Sequence, residues 1–240
     1  MFDHYFPTVI HFDATLAIAL ATLGFIVFWG VVNNALLISR LTGRLGDEQA
    51  QESKIYLQRL VGVCCYGIIP ALVFFAGLGY KGSDLGLSWQ WTLADLWWTL
   101  GLSALAVILS YLGARKPESL ALYPEIRRPV WGRRTLLFSA LSWTAYLFAY
   151  ELTFRGFLLF ICDRAFGPGP AIAVNTAIYA LVHVPKRMTE GVGALILGLV
   201  LCLVTLQTGT IWVAFLVHVA LSLSNEWFSL RNHPNIHFAS

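Results

Sequence analysis

Charge is what this chain has least of. Only 12% of its 240 residues are Asp, Glu, Lys or Arg, while 58% are hydrophobic. A soluble domain of this length carries about 25% charge. So little polar surface cannot coat a globule, so lipid must cover much of the chain. The net charge of +3 is small, and nucleic acid is not expected as a partner. Cysteine is also sparse. Cys64, Cys65, Cys162 and Cys202 all fall in apolar stretches. The vicinal pair suits no disulfide and no metal-type spacing occurs, so they read as small buried hydrophobes. The stretch up to Asp13 holds no Lys or Arg. It therefore lacks the basic start of a cleavable signal, and the first apolar run should stay as a spanning helix. Repeats and low-complexity stretches are missing too, so 1–240 reads as one membrane domain.

What is present is a series of apolar runs. A spanning helix needs about 20 mostly apolar residues. By that measure the sequence predicts an all-α polytopic transmembrane bundle of about seven helices, near 15–39, 60–80, 93–112, 135–165, 171–184, 191–206 and 211–228. Pro70 should kink the second helix. Gly167-Pro168-Gly169-Pro170 should form a tight hairpin between the fourth and fifth. Basic residues test the count. With the N-terminus outside, the inner segments hold Arg40, Arg44, Lys54, Arg59, Arg115, Lys116, Arg127, Arg128, Arg133, Arg134, Lys186, Arg187 and Arg231, and the outer ones only Lys81 and Arg164. This positive-inside bias predicts N-terminus out and C-terminus in, across a cell membrane. Trp89, Trp91, Trp97 and Trp98 read as an interfacial aromatic belt.

Ionisable groups inside bilayer helices are expensive and mark function by default. Glu151, Arg155, His183 and His218 are such groups. Glu151 and Arg155 have the favourable i, i+4 order of a helical ion pair, and a neutralising structural bridge is the plain alternative. Helices four and five meet at the Gly-Pro hairpin. At about 1.5 Å per residue, Glu151 and His183 fall ~20–24 Å below it. Helix seven starts from the same side near Ile211, which puts His218 ~11 Å, Ser222 ~17 Å and Asn225 ~21 Å down. One Glu, two His and small polar groups therefore converge in the inner half of the bilayer. A carboxylate in apolar surroundings can act as general base on water, with a His sharing that water. A second His with an amide or hydroxyl donor can hold an oxyanion. The same Glu and two His could instead ligate zinc, although H-E-x-x-H is absent.

Tyr150-Glu151-Leu152-Thr153-Phe154-Arg155-Gly156 resembles the E-E-x-x-x-R-G motif of the CAAX protease and bacteriocin-processing family, also called the Abi family. Tyr179-Ala180-Leu181-Val182-His183 resembles its F-x-x-x-H motif. His218 with Ser222 resembles its H-x-x-x-N motif, and Ser83-Asp84-Leu85-Gly86-Leu87 its upstream L-G-L element. The resemblance implies an intramembrane glutamate-type endopeptidase with its core over 135–228, a peptide or membrane-protein substrate, the bilayer as partner, and no cofactor. It implies that Glu151 and His183 activate water and that His218 with Ser222 or Asn225 forms the oxyanion site, with Arg155, Tyr150 and Tyr179 in support. Three departures stand out. Tyr150 replaces the first Glu, Ser222 replaces Asn, and Tyr179 replaces Phe. A single carboxylate must then serve both Arg155 and the water, unless Arg155 turns to Glu190 or Glu226. A non-catalytic scaffold or immunity protein on the same fold is the second reading. A proton-coupled transporter ranks last, because no inverted repeat is visible.

Overall fold

The computed structural model describes residues 11–183 and 188–239, and for Leu41 and 188–190 the backbone alone. Pro185, Lys186, Arg187 and the side chain of Glu190 lie outside the described residues, as do Asp3 and His4. The chain is an all-α polytopic bundle. Its principal helices are α1 (Phe12–Val32), α2 (Ala35–Thr42), α3 (Asp47–Gly77), α4 (Leu93–Gly113), α5 (Arg133–Phe166), α6 (Pro168–Leu181), α7 (Met188–Thr208) and α8 (Trp212–Asn232). All seven apolar runs are helical. Among the described residues six helices are long and apolar enough to cross a membrane: α1, α3, α4, α5, α7 and α8. The seventh, α6, has 14 residues, which at about 1.5 Å each is short of a ~30 Å hydrocarbon layer.

Local chemistry sets the boundaries. The run expected at 15–39 is two helices. Asn33 ends α1, and the Asn34 side chain accepts from Leu37 N at 2.9 Å, capping α2. A reciprocal capping box opens α4. Thr92 Oγ1 accepts from Asp95 N at 3.2 Å, and Asp95 accepts from Thr92 N at 2.7 Å. The hairpin after α5 is a single residue, Gly167, at φ +82°; Pro168 already occupies the first turn of α6. The second apolar helix begins thirteen residues before the apolar run does, because the polar stretch from Asp47 continues into it.

Two helices widen into π geometry. In α3 this happens at Val63–Ile68 and Leu72–Gly77, on either side of Pro70, which has no N–H to donate. In α5 it covers Leu152–Leu159. Side chains divert the helical carbonyls. Thr153 Oγ1 donates to Tyr66 O on α3, and Asn175 Nδ2 on α6 donates to Phe154 O. A donor inserted into the helical ladder loosens it at that point. The widened stretch of α5 carries Arg155, so the motif sits where the helix is least regular.

α5 is the hub. In its apolar window 78% of residues are buried, against 17–39% in the other five spans. α3 lies against it closely enough that a Cβ on Gly67 would come within 2.8 Å of Ala149 Cβ. α8 packs along α4 and α5, and α6 lies between α5 and α7. On one side of the bundle, Val130–Trp131 pairs in parallel with His237–Phe238 of the tail. Trp131, Ile126, Leu230 and Ile236 form a small core beneath that pair.

Candidate active site

Glu151 ends the regular part of α5 and is 0% exposed. Its Oε1 lies 2.6 Å from His218 Nδ1 on α8, and its Oε2 lies 3.5 Å from Arg155 Nε one turn on. The carboxylate thus serves both partners, but unequally. The His218 contact is a short hydrogen bond. The Arg155 contact is an ion pair outside hydrogen-bond geometry. Arg155 finds its second partner in Asn175 Oδ1, at 3.2 Å from Nη1, and its guanidinium lies over the Tyr179 ring at 4.5 Å. Cys202 Sγ donates to the same Asn175 oxygen at 3.2 Å. Asn175 therefore links α5, α6 and α7, and nothing in its spacing announced it.

Glu226 does not turn to Arg155. It accepts from Ser139 Oγ at 2.5 Å and from Trp143 Nε1 at 2.8 Å, and pairs with Arg59 at 3.4 Å. Arg59 is buried as well. It donates to Ser139 and Ser142, meets Glu125 at 3.3 Å, and stacks on Trp143 at 4.4 Å. This second buried ionic network joins α3, α5 and α8.

The histidine registers differ from the depth count. His218 is bonded to Glu151, although the count put it more than 10 Å nearer the outer surface. The Gly167 hairpin is the wrong origin for α8. Ile211 N donates to Gly86 O at 3.0 Å, and Gly86 sits against Phe160, seven residues before the hairpin. Seven residues are about 10 Å of helix, so α8 starts that much deeper and His218 comes level with Glu151. The Leu85-Gly86-Leu87 element sets this register. His183 keeps its place: its Nδ1 lies 2.7 Å from Tyr179 O. A carbonyl only accepts, so Nδ1 carries the proton and Nε2 is the acceptor.

Tyr150, Tyr179, His183, His218, Ser222 and Asn225 all line one cavity of about 800 Å³. The Tyr150 ring stands nearly perpendicular to both imidazoles, 6.1 Å from His183 and 5.8 Å from His218. The wall continues with Phe25, Phe28, Leu102, Leu105, Leu109 and Leu197. Arg59, Lys116, Glu118 and Glu125 line it elsewhere. Glu151 is behind this wall and reaches the cavity through His218. The zinc alternative asks Glu151, His183 and His218 to act as one ligand set. Among the described residues no three His, Cys, Asp or Glu side chains are grouped to hold a metal ion. Glu151 Oε1 is instead occupied by a ring nitrogen of His218.

Apolar spanning helices around a walled, imidazole-lined cavity define a multi-pass membrane protein with a polar site inside its bundle. Residues 131–224 match the family model described as type II CAAX prenyl endopeptidase, Rce1-like. The match bears out the resemblance drawn from the three motifs, all of which lie within the matched segment, and it is a match to a family of membrane proteases. Comparison with curated proteins and with solved structures gave no match.

Proposed function

We propose that the protein is an intramembrane endopeptidase that hydrolyses a peptide bond near the end of a prenylated, CAAX-type substrate, using a water activated by His218. The observation that carries this reading is the 2.6 Å bond from Glu151 Oε1 to His218 Nδ1 in the wall of the cavity. A carboxylate on Nδ1 fixes the proton there and leaves Nε2 as the base. It also stabilises the imidazolium that forms when His218 takes a proton. Glu151 thus works through His218 and need not touch water. In the reaction, water oxygen attacks the substrate carbonyl carbon, its proton moves to His218 Nε2, and the carbonyl electron pair moves onto oxygen. Collapse expels the amine, which takes the proton back from His218. His183 Nε2 accepts a hydrogen bond from the attacking water. Ser222 and Asn225, on the same cavity wall, are donors for the developing oxyanion. The apolar wall from α1 and α4 suits a lipid-like substituent, and substrate reaches it from the bilayer. The core of this activity is 135–228, and no cofactor enters the scheme. Basic inner loops favour N-terminus out and C-terminus in, across the cell membrane.

The test is cleavage of a quenched fluorogenic peptide with a farnesylated cysteine near its carboxyl end, by purified protein in liposomes. His183→Ala and His218→Ala should each lower kcat by about 10²–10⁴-fold with the protein still folded. Wild-type turnover in both variants would sink the scheme.

One observation favours the second reading, a non-catalytic scaffold. Glu151 is fully buried with both oxygens facing protein cations or imidazole, as a structural clamp would be. In that case no cavity variant changes function except by lowering the amount of folded protein.

A further inference from the structure

The cavity wall changes character along its length. Leu102, Leu105 and Leu109 of α4 line an apolar stretch, and past the end of that helix Lys116, Ser119 and Tyr123 line a polar one. Besides the two imidazoles, the wall carries two basic side chains, Arg59 and Lys116. Arg59 is occupied. Its guanidinium is buried, bonded to Ser139 and Ser142, and paired with Glu125 and Glu226. Lys116 is exposed and, among the described residues, forms no ion pair.

The packing of α4 on α8 sets how far Lys116 stands from His218. Both helices start at the same end of the bundle, where Trp89 packs on Trp212. Towards the other end, Ser110 Oγ donates to Leu221 O at 3.5 Å. The two helices therefore run parallel. Leu221 is three residues past His218, and Lys116 is six past Ser110, the last three of them beyond the helix end. At about 1.5 Å per helical residue, Lys116 lies ~9–14 Å from His218 along the bundle. A CAAX-type tail ends three residues after its prenylated cysteine. Three extended residues span about 10 Å, and the flexible four-carbon lysine stem covers the remainder.

We propose that Lys116 binds the terminal carboxylate of the substrate tail, so that the cavity measures the tail from its lipid to its last residue. With the prenyl group along the α4 leucines and the carboxylate on Lys116, the bond after the lipidated cysteine falls beside His218. An ammonium and a carboxylate make a charge-assisted hydrogen bond that a neutral terminus cannot match. Glu118, exposed on the same wall, repels a carboxylate and confines it to the lysine side.

This site rests on the endopeptidase reading, so binding and cleavage are read separately. The farnesylated peptide is made with a free carboxyl end and with an amide end, each also in an uncleavable form N-methylated at the scissile bond. Wild type in phosphatidylcholine liposomes should favour the acid over the amide by about three- to tenfold, as one partly exposed charged contact would. The preference should appear in affinity and in KM rather than in kcat. Lys116→Met should abolish it, Lys116→Glu should invert it, and Glu118→Gln should raise it. Arg115→Met removes the neighbouring cation, which lies over the Tyr111 ring and does not line the cavity, and should leave the preference as it is. Cleavage without an acid preference, or a preference that survives Lys116→Met, overturns the carboxylate site and leaves the endopeptidase reading standing. So does an equal weakening of acid and amide by Lys116→Met, the mark of a lysine that meets lipid phosphate instead. A wild type that binds the acid more tightly through Lys116 but cleaves neither peptide sinks the endopeptidase reading and keeps the site. If it cleaves neither and binds both alike, both ideas fall.

Discussion

Glu151 Oε1 and His218 Nδ1 lie 2.6 Å apart, on helices whose residues are 67 positions apart in the chain. Residues that act as a unit show non-additive effects on rate. Glu151→Gln should lower kcat by about 10²-fold or more, because the amide no longer fixes the His218 tautomer or stabilises its cation. His218→Ala should cost at least as much. The double variant should be no slower than His218→Ala alone. Multiplying losses would mean that Glu151 acts on water independently of His218. Rates are taken per folded molecule, since Glu151→Gln also strips Arg155 of its anion.

Arg155 gives the second prediction, and it concerns stability. The guanidinium is 0% exposed, paired with Glu151, bonded to Asn175 and stacked on Tyr179. Removing one member of a buried pair leaves the other charge uncompensated, at a cost of about 3–5 kcal/mol. Arg155→Met should therefore reduce the folded yield sharply. Arg155→Lys should recover only part, because an ammonium cannot reach Asn175 and Glu151 while lying flat on Tyr179. Thermal unfolding in detergent measures both. Equal melting temperatures for Arg155→Lys and wild type would count against the stacked geometry.

How much of this was written in the sequence depends on what each residue reports locally. Glu151 and Arg155 are one turn apart on one helix, so their pairing was legible. The helix–hairpin–helix count placed His183 beside Glu151, and Tyr150 contacts its ring. The depth count from the hairpin misplaces His218, because its helix hangs from Gly86 and not from Gly167. That is a tertiary contact with no local signal except the Leu-Gly-Leu element itself. Arg59 was read as an inner-loop charge, since hydropathy starts the second span at Leu60. In the fold the polar stretch is helical back to Asp47, and Arg59 is carried inside to meet Glu226. Window hydropathy cannot see a charge whose partner lies 167 positions away.

Gly86 gives the third prediction. It holds φ +71°, and a Cβ there would lie 2.5 Å from the Phe160 ring and 3.1 Å from Ile211 N. Its carbonyl accepts from Ile211 N and from Thr210 Oγ1 at 3.0 and 3.1 Å, which fixes where α8 begins. Gly86→Ala should cost about 1–3 kcal/mol through strain alone. It should also lower kcat more than KM changes, because α8 carries His218. Adding Phe160→Leu makes room but leaves the φ strain, so recovery should be partial. Full recovery would show that only the ring contact matters.

The tail gives the last prediction, through His233. Its Nε2 faces Arg127 Nη1 at 3.2 Å, and its Nδ1 faces Asn235 N at 3.3 Å. Both neighbours are donors, and a neutral imidazole can accept at only one of its ring nitrogens. A second ring proton would remove that one acceptor and set donor against donor at both positions. Partial burial first, and then the Arg127 guanidinium, hold its pKa below the ordinary histidine value. A depressed folded value means that the unfolded tail binds the proton more readily than the folded one. The tail's stability is therefore fully present above the unfolded value, near ~6.5, and is lost as pH falls through the folded value. Hydrogen exchange of the paired segments, Val130–Trp131 and His237–Phe238, should accelerate on acidification beyond its intrinsic pH dependence. His233→Asn can accept from Arg127 but cannot gain a proton, so in that variant the extra acceleration should vanish. If it persists, the acid sensitivity belongs to another group, and Arg127 is not what holds His233 neutral.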